Sequence, residues 1–341
     1  MTINIEVATE GDLEVWYQVL RTSSHSTIFH TWDWLKIMEK YTNTKLYPLV
    51  GYKGTTPIGI YPLFYLKKKM TKLVFSPPPK TLLLYLGPVI SNYEKLKQSR
   101  RETLFMEFQR SIDEFIMSEL NSNYIRIRTP PGLLDFRPLK WAGYNIEPHL
   151  TYIIDLKSGL DSVWENFNRK LRVAIEKTRR EGIKVELGNS SDLEYLRKAI
   201  CDRFREQGFK VSKNYYKNYL EQLYRKYYPN NMKIFVAKYK TEDVGGFILL
   251  HYKDRATLWI GIPKTSLKGV YPNDLAQWEA IKWAYENGFK YYEIMGAGEN
   301  PRLRHYKAKF NPEIFLWWSA VRYSSTLYEV IEKIAKKLKL V

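Results

Sequence analysis

Cysteine is almost absent from this chain. Cys201 stands alone among 341 residues, so no intramolecular disulfide can form and no cysteine–histidine spacing for a structural zinc exists. A lone cysteine in a helical pattern reads as a small core residue, and a reducing, cytoplasmic setting is expected. The five histidines, His25, His30, His149, His251 and His305, are scattered without a metal-ligand rhythm. Several catalytic signatures are also missing: there is no G-x-S-x-G elbow, Walker loop, H-E-x-x-H helix or G-x-G-x-x-G fingerprint. Long apolar runs are missing too. The longest, "TLLLYLGPVI" (81–90), falls well short of the ~20 residues that cross a bilayer. The opening "MTINIEVATEGDLEVW" has neither a basic n-region nor an apolar h-region, so no signal peptide is expected.

What is present is cationic and aromatic. The formal net charge is +18, and 45% of residues are hydrophobic, with 27 tyrosines. Such a chain can bury real cores, and its length suits two domains. The charge points to polyanionic partners: nucleic acid, anionic lipid or a nucleotide-bearing substrate. Lysine-rich surfaces alone account for part of that excess.

The sequence contains itself twice. A shift of 186 residues places Val50 on Val236, Ile58 on Val244, Gly59 on Gly245 and Leu63 on Leu249 without a gap, and sets "IMEKY" (37–41) on "LYRKY" (223–227). "LVGYKGTTPIGIYPLFYL" and "VAKYKTEDVGGFILLHY" both read as hairpins, each followed by a third strand, near 73–76 and at 256–262. A helix then precedes "YIRIRT" in the first half and "FKYYEIMG" in the second. The fold class expected is α+β, in mixed α/β layers, with a mostly antiparallel sheet flanked by helices in each half. The expected domains are 1–150 and 151–341, with a linker near 130–160 and Ser158 or Asp161 capping the helix that opens the second half.

Three stretches can carry chemistry. In "WENFNRKLRVAIEKTRREGIKVELG" (164–188), Trp164, Phe167, Leu171, Ala174, Ile175 and Thr178 form one helical face, and Gly182 ends the helix. The remaining face is basic. It is open to two readings: a solvated surface favoured by the helix dipole, or a phosphate-binding ridge on which Arg169 and Arg172 stand three residues apart. The loop "PKTSLKGVYPND" (263–274) leads into a helix. Its single Gly269, and a Pro272 without an N–H, make a poor glycine-rich phosphate cradle. Asn273 reads as a helix N-cap or a substrate contact, and Tyr271 as a pocket residue or a packing one. In "MGAGENPRLRHYKAKFNPEIF" (295–315), Arg302, Tyr306 and Lys309 share one face of a short helix, and Leu303 and Lys307 another. An exposed basic turn is the plain reading. The alternative carries Lys307 into a cleft, where burial lowers its pKa and suits it to charge stabilisation or proton transfer. Trp32 and Trp34, at a helix start in "FHTWDWLKIMEKY", read as core.

These segments carry a family resemblance. "FHTWDWLKIMEKY", "RVAIEKTRREGIKV" (172–185) and "NDLAQWEAIKWAYENGFKYYEIMGAGENPRLRHYKAKF" resemble, in that order, the signatures of the Fem-type transferases. These are tandem members of the acetyltransferase-like (GNAT) superfamily, and the last block ends in an F-K-x-x-F element that here reads Tyr306-Lys307-Ala308-Lys309-Phe310. The resemblance covers nearly the whole chain. It implies two tandem GNAT-like domains and N-acyl transfer: an aminoacyl group passes from aminoacyl-tRNA, or an acyl group from acyl-CoA, to an amine of a nucleotide- or lipid-linked peptide acceptor such as a cell-wall precursor. It implies no tightly bound cofactor. It carries the family lysine onto Lys307 as a stabiliser of carbonyl charge, with Tyr271 beside it. The expected substrate contacts are Arg169, Arg172, Arg302, Arg304, Trp32 and Asn273. The sequence departs from the family in two places: Asn311-Pro312-Glu313 replaces a glycine pair, and no long heptad insertion is present. Two other readings stay open, a non-catalytic RNA- or precursor-binding module and a protein that touches anionic membrane through a basic amphipathic C-terminal helix (Leu327, Val330, Ile331, Ile334 and Leu338). No stable protein partner is expected.

Overall fold

A computed structural model describes residues 3–206, 213–261, 267, 269–298, 300–325 and 328–329. The chain forms two compact units. One comprises the described residues up to 149 and from 316 onward; the other is 150–315. Of the C-terminal helix expected around Leu327 to Leu338, all but 328–329 lies outside the described residues. Among those described, no helix is long and apolar enough to cross a membrane.

The first unit contains β1 (Asn4–Val7), α1 (Leu13–Thr22), α2 (Trp32–Thr42), β2 (Lys45–Lys53), β3 (Thr56–Lys68), β4 (Thr71–Ser76), β5 (Val89–Ile90), α3 (Gln98–Phe115), β6 (Tyr124–Arg128) and α4 (Arg137–Trp141). Strand β7 (Asn145–Asp155) runs out of it into the second unit. There follow α5 (Leu160–Asn166), α6 (Arg169–Arg180), β8 (Ile183–Leu187), α7 (Ser190–Glu206), α8 (Lys213–Tyr227), β9 (Met232–Tyr239), β10 (Glu242–Tyr252), β11 (Arg255–Gly261), α9 (Pro272–Glu286), β12 (Tyr291–Glu293), α10 (Pro301–Ala308) and β13 (Glu313–Tyr323).

The sheet of the first unit runs β1-β2-β3-β4-β6-β13, with β5 also paired to β3; that of the second runs β8-β9-β10-β11-β12-β7. All neighbours are antiparallel except β4–β6 and β11–β12, which are parallel. The two orders match position by position. Each ends on a strand drawn from the other half of the sequence, β13 pairing with β6 and β7 with β12. That exchange is why one cut at 150 cannot describe both units. It also corrects the expected linker. Residues 145–155 are a strand, which Pro148 and His149 mask in an otherwise alternating stretch.

The 186-residue repeat holds down to hydrogen-bond register. Leu49 faces Tyr61 and Gly51 faces Gly59 in the first hairpin; Phe235 faces Phe247 and Ala237 faces Gly245 in the second. Both hairpins shift register at the same place, around Ile58 and around Val244. A bulge bends the strand and raises its twist, and in each unit a helix packs over it. A Cβ on Gly59 would lie 2.8 Å from both the Phe108 ring of α3 and the Val89 carbonyl oxygen. A Cβ on Gly245 would lie 2.7 Å from Asn273 Oδ1 at the head of α9. The duplicated glycine is thus kept for close approach in both units. Behind each sheet lies one core, built in the first unit on Phe105, Phe108 and Ile112 and in the second on Leu275, Ile281 and Tyr292.

Gly59→Ala presses a methyl against a ring and a backbone oxygen that cannot both retreat. We expect a loss of about 2–3 kcal/mol, read from urea unfolding. A change within experimental error would show that the bulge has room to spare.

Candidate functional site

The second unit opens where its parallel pair ends. β11 and β12 pair from Arg255↔Tyr291 to Thr257↔Glu293. β11 then continues with β10 as far as Gly261, while β12 stops. The residues beyond Glu293 turn away, and Met295 sits in the left-handed region at φ 61°. Successive carbonyls of an extended strand point in opposite directions; a positive φ can swing them to one side. Here three of them meet one cation. Lys307 Nζ donates to the carbonyls of Ile294 (2.8 Å), Met295 (3.1 Å) and Gly296 (2.7 Å).

Helix α10 delivers that cation. Asn300 caps it by accepting from the Leu303 N–H, Pro301 takes the first turn, and Leu303 packs on the core. Lys307, one turn on, is carried inward until only 7% of it is exposed. Burial pushes its pKa down to about 7, and the carboxylate of Glu293 pulls it back. The three carbonyls act with Glu293, because a neutral amine would set its lone pair against one of them. Glu293 is itself wholly buried. It accepts from Thr151 Oγ1 at 2.6 Å and lies 3.5 Å from Arg255 Nη1.

A second buried acid lies at the head of α9. Asp274, 3% exposed, has its pKa raised to about 6 by burial, against the opposing pull of Lys309 and of the Tyr306 hydroxyl. That hydroxyl also donates to Gln277 Oε1 at 3.3 Å. Gln277 Nε2 is buried without an acceptor. Tyr271, half exposed, occupies the N-cap position of α9, and its backbone N–H donates to Thr178 Oγ1 of α6 at 2.9 Å. Asn273 is therefore not the cap. Its Oδ1 accepts from Gly246 N at 3.1 Å and ties α9 to the bulge of β10.

The basic helix of the sequence is two helices. Asn168 breaks it: its side chain caps α6 through Lys170 N, and its own N–H donates to the Lys309 carbonyl at 2.9 Å. Gly159, not Ser158 or Asp161, occupies the N-cap position of α5. On α6, Leu171, Ile175 and Thr178 are buried as their spacing predicts, and Gly182 follows at φ 84°. Trp164, Arg169, Arg172, Lys177 and Arg180, with Glu176 and Glu181, line an open groove of about 690 Å³. Arg179 is engaged by Glu176 and Glu279. Lys177 Nζ would lie 3.5 Å from a Cβ on Gly269, just ahead of α9.

Of the residues singled out in the sequence, Tyr271 and Asn273 stand at the head of α9 and Lys307 on α10, whose Tyr306 reaches Gln277 of α9. Arg169 and Arg172 lie along α6, and Arg302 and Arg304 are exposed on α10. Trp32 is in the first unit, buried edge-on against Trp16 at 5.5 Å. Residues 263–266 and 268 of the 263–274 loop lie outside the described residues. Sequence reasoning missed Glu293, Asp274 and Gln277. The one available signal was a charged or polar side chain inside an otherwise apolar helix or strand.

Comparison with known proteins defines the fold. The family described as acetyltransferase (GNAT) domain matches residues 165–308. Among solved structures, FemX covers 96% of this chain and all of its own at 13% identity and a TM-score of 0.71. L-PGS from Bacillus licheniformis covers 97% of this chain and 98% of its own at 14% identity and 0.55. A tandem GNAT protein from the clavulanic acid biosynthesis pathway covers 95% and 99% at 9% identity and 0.55. No curated protein sequence matches. The class is a mixed α/β protein of two GNAT-like units in tandem. More particularly, the chain has the Fem-type form of that fold.

Two outcomes test this geometry. Lys307→Met strips the donor from three carbonyls, so we expect about 2 kcal/mol of lost stability in urea unfolding, despite methionine's matching length. For Asp274 the folded pKa of about 6 lies above the ordinary aspartate value of 3.8, so its contribution is full below about pH 4 and is lost as pH rises through 6. Relative to Asp274→Asn, the wild type should lose about 2–3 kcal/mol between pH 4 and pH 7. A pH-independent difference would place the carboxyl in water.

Proposed function

We propose that the protein is an N-acyltransferase that moves an aminoacyl or acyl group from an activated carrier to an amine on a phosphorylated or peptide-like acceptor, such as a cell-wall precursor. The observation that carries this reading is the parting of β11 from β12, with Lys307 bracing the strand that leaves. Peptide groups are planar and trans. Carbonyls of Ile294, Met295 and Gly296 held toward the ammonium therefore turn the N–H groups that follow to the opposite side, those of Gly296 and Ala297 among them. Such an array can receive a negatively charged oxygen. Lys307 is then a positioning residue, since its own three N–H groups are already engaged.

In the reaction the amine lone pair attacks the ester or thioester carbonyl carbon. A C–N bond forms while the carbonyl oxygen gains charge, and that oxygen returns its electrons as the bond to the carrier's oxygen or sulfur breaks. The proton lost by the amine ends on the departing hydroxyl or thiol. Tyr271 and Asn273 stand at the same end of α9, and Arg302 and Arg304 are free to meet phosphates.

Aminoacyl-tRNA is the favoured donor. The groove along α6 offers several cations and a tryptophan to a repeating phosphate chain, whereas one glycine and a proline suit the pyrophosphate of coenzyme A poorly. A cytoplasmic site of action follows from that donor, and contact with anionic membrane from a lipid-linked acceptor. A non-catalytic binding module is the second reading, favoured by the fully engaged Lys307.

The test offers labelled aminoacyl-tRNA and acetyl-CoA with a set of amine acceptors. We expect transfer from the tRNA, with an affinity that falls steeply with salt and drops about tenfold in Arg172→Lys, which keeps the charge but loses the planar fork. Lys307→Met, assayed where it remains folded, should lose about two orders of magnitude in kcat with little change in KM. Transfer from acetyl-CoA alone would reverse the donor assignment. Tight, salt-sensitive binding without turnover would leave the binding module.

A further inference from the structure

The first unit holds a cluster that acyl transfer does not use. On β6, Ile125 and Ile127 join the core beneath α3. Tyr124, Arg126 and Arg128 alternate with them and so belong to the other face of the sheet. Phase is kept across the strands: Phe75 pairs with Arg126 and Ser319 with Arg128, and Trp317 follows two residues along β13. The Arg126 guanidinium lies 5.2 Å from the centre of the Phe75 ring, and that of Arg128 6.0 Å from Trp317. His149 stacks on Trp317 at 4.3 Å and Tyr85 meets it edge-on at 6.3 Å.

Three N–H groups of this cluster are buried without an acceptor: Arg126 Nε, Arg128 Nε and Trp317 Nε1. Among the described residues neither arginine makes an ion pair. Burial and the neighbouring Arg126 push the Arg128 pKa down to about 10, while Tyr124 and the exposed Glu147 pull it back only in part. Buried charges are normally paired. Two arginines at i and i+2 on one strand face repel each other across roughly 7 Å, and both rest on aromatic rings rather than on a carboxylate. Among the described residues, no acceptor reaches the Nε–H of either arginine or the Trp317 indole N–H.

We propose that this face of the first unit binds a phosphate group, held between Arg126 and Arg128 with the Trp317 indole N–H as a further donor. Two fixed cations match the charge of a phosphate monoester, about −1.5 to −2 near neutral pH, better than that of a single carboxylate. Planar guanidinium forks suit its several oxygens. The aromatic rings exclude water and hold the arginines in place while the site is empty.

The experiment is calorimetric titration of the full chain with inorganic phosphate, with acetate as the carboxylate probe, at constant ionic strength in chloride. We expect saturable phosphate binding, weakened about tenfold or more in Arg128→Met and in Arg126→Met, and unchanged in Lys140→Met, which removes an exposed cation of α4. Acetate should bind far more weakly. Thermal unfolding supplies the second readout. Without phosphate, Arg128→Met should be as stable as the wild type or more so, because a half-buried charge without an ion-pair partner has gone; with phosphate the wild type should overtake it. Equal phosphate affinity in wild type and both arginine variants would overturn the proposal. So would an Arg128→Met protein that is destabilised in chloride, which would make the arginines packing elements on aromatic rings. Acetate binding as tight as phosphate would overturn the assignment of a phosphate. None of these readouts requires turnover, so they stand or fall apart from the acyl-transfer reading.

Discussion

The second unit depends on one ammonium. Where β12 leaves β11, the chain passes through a left-handed residue, Met295, and three consecutive carbonyls turn toward a single point. Without a cation there, those dipoles would repel one another inside a largely apolar setting. Lys307 resolves this by donating to all three, and Glu293, fixed by Thr151 and Arg255, keeps the local charge from standing alone. The sheet can therefore open without unravelling. Much of what surrounds the opening serves to keep that lysine in place: Asn300 starts its helix, Leu303 anchors it, and the Asn168–Lys309 bond ties its end to the cap of α6.

Duplication was legible in the sequence because hairpins are specified locally. A bulge position, a glycine under a helix and a run of alternating residues recur at 186 residues, and the strands pair in the same register in both units. The strand exchange was not legible. Nothing within β7 or β13 states which neighbour it will pair with; that is decided by tertiary packing. The break at Asn168 was hidden for a related reason. Apolar spacing continued across Phe167 and Leu171, so a periodic pattern ran through a residue whose backbone N–H is claimed by a distant carbonyl.

The candidate site was legible in part. The loop, the short helix and the buried lysine followed from spacing together with the family resemblance. The charges inside apolar elements did not. Asp274 and Glu293 each look like an ordinary polar position, and only the packed structure shows that both are withdrawn from water. The alternation of Arg126 and Arg128 with isoleucine is the signature of a strand with one wet face; in the folded unit both are half-buried, beside the rings of Phe75 and Trp317.

The exchanged strands set an order of assembly. Synthesis delivers the first unit's β1 to β6 early, but the edge of β6 has no partner until residues 319–323 leave the ribosome. The second unit draws its last strand from residues already made and can close its sheet once β12 has emerged. The part of the protein that is translated first is thus completed last. Throughout elongation an unpaired strand edge stays exposed on it, the kind of edge that recruits other chains. A chain cut short after β12 but before residue 319 would have its second sheet whole and its first still open.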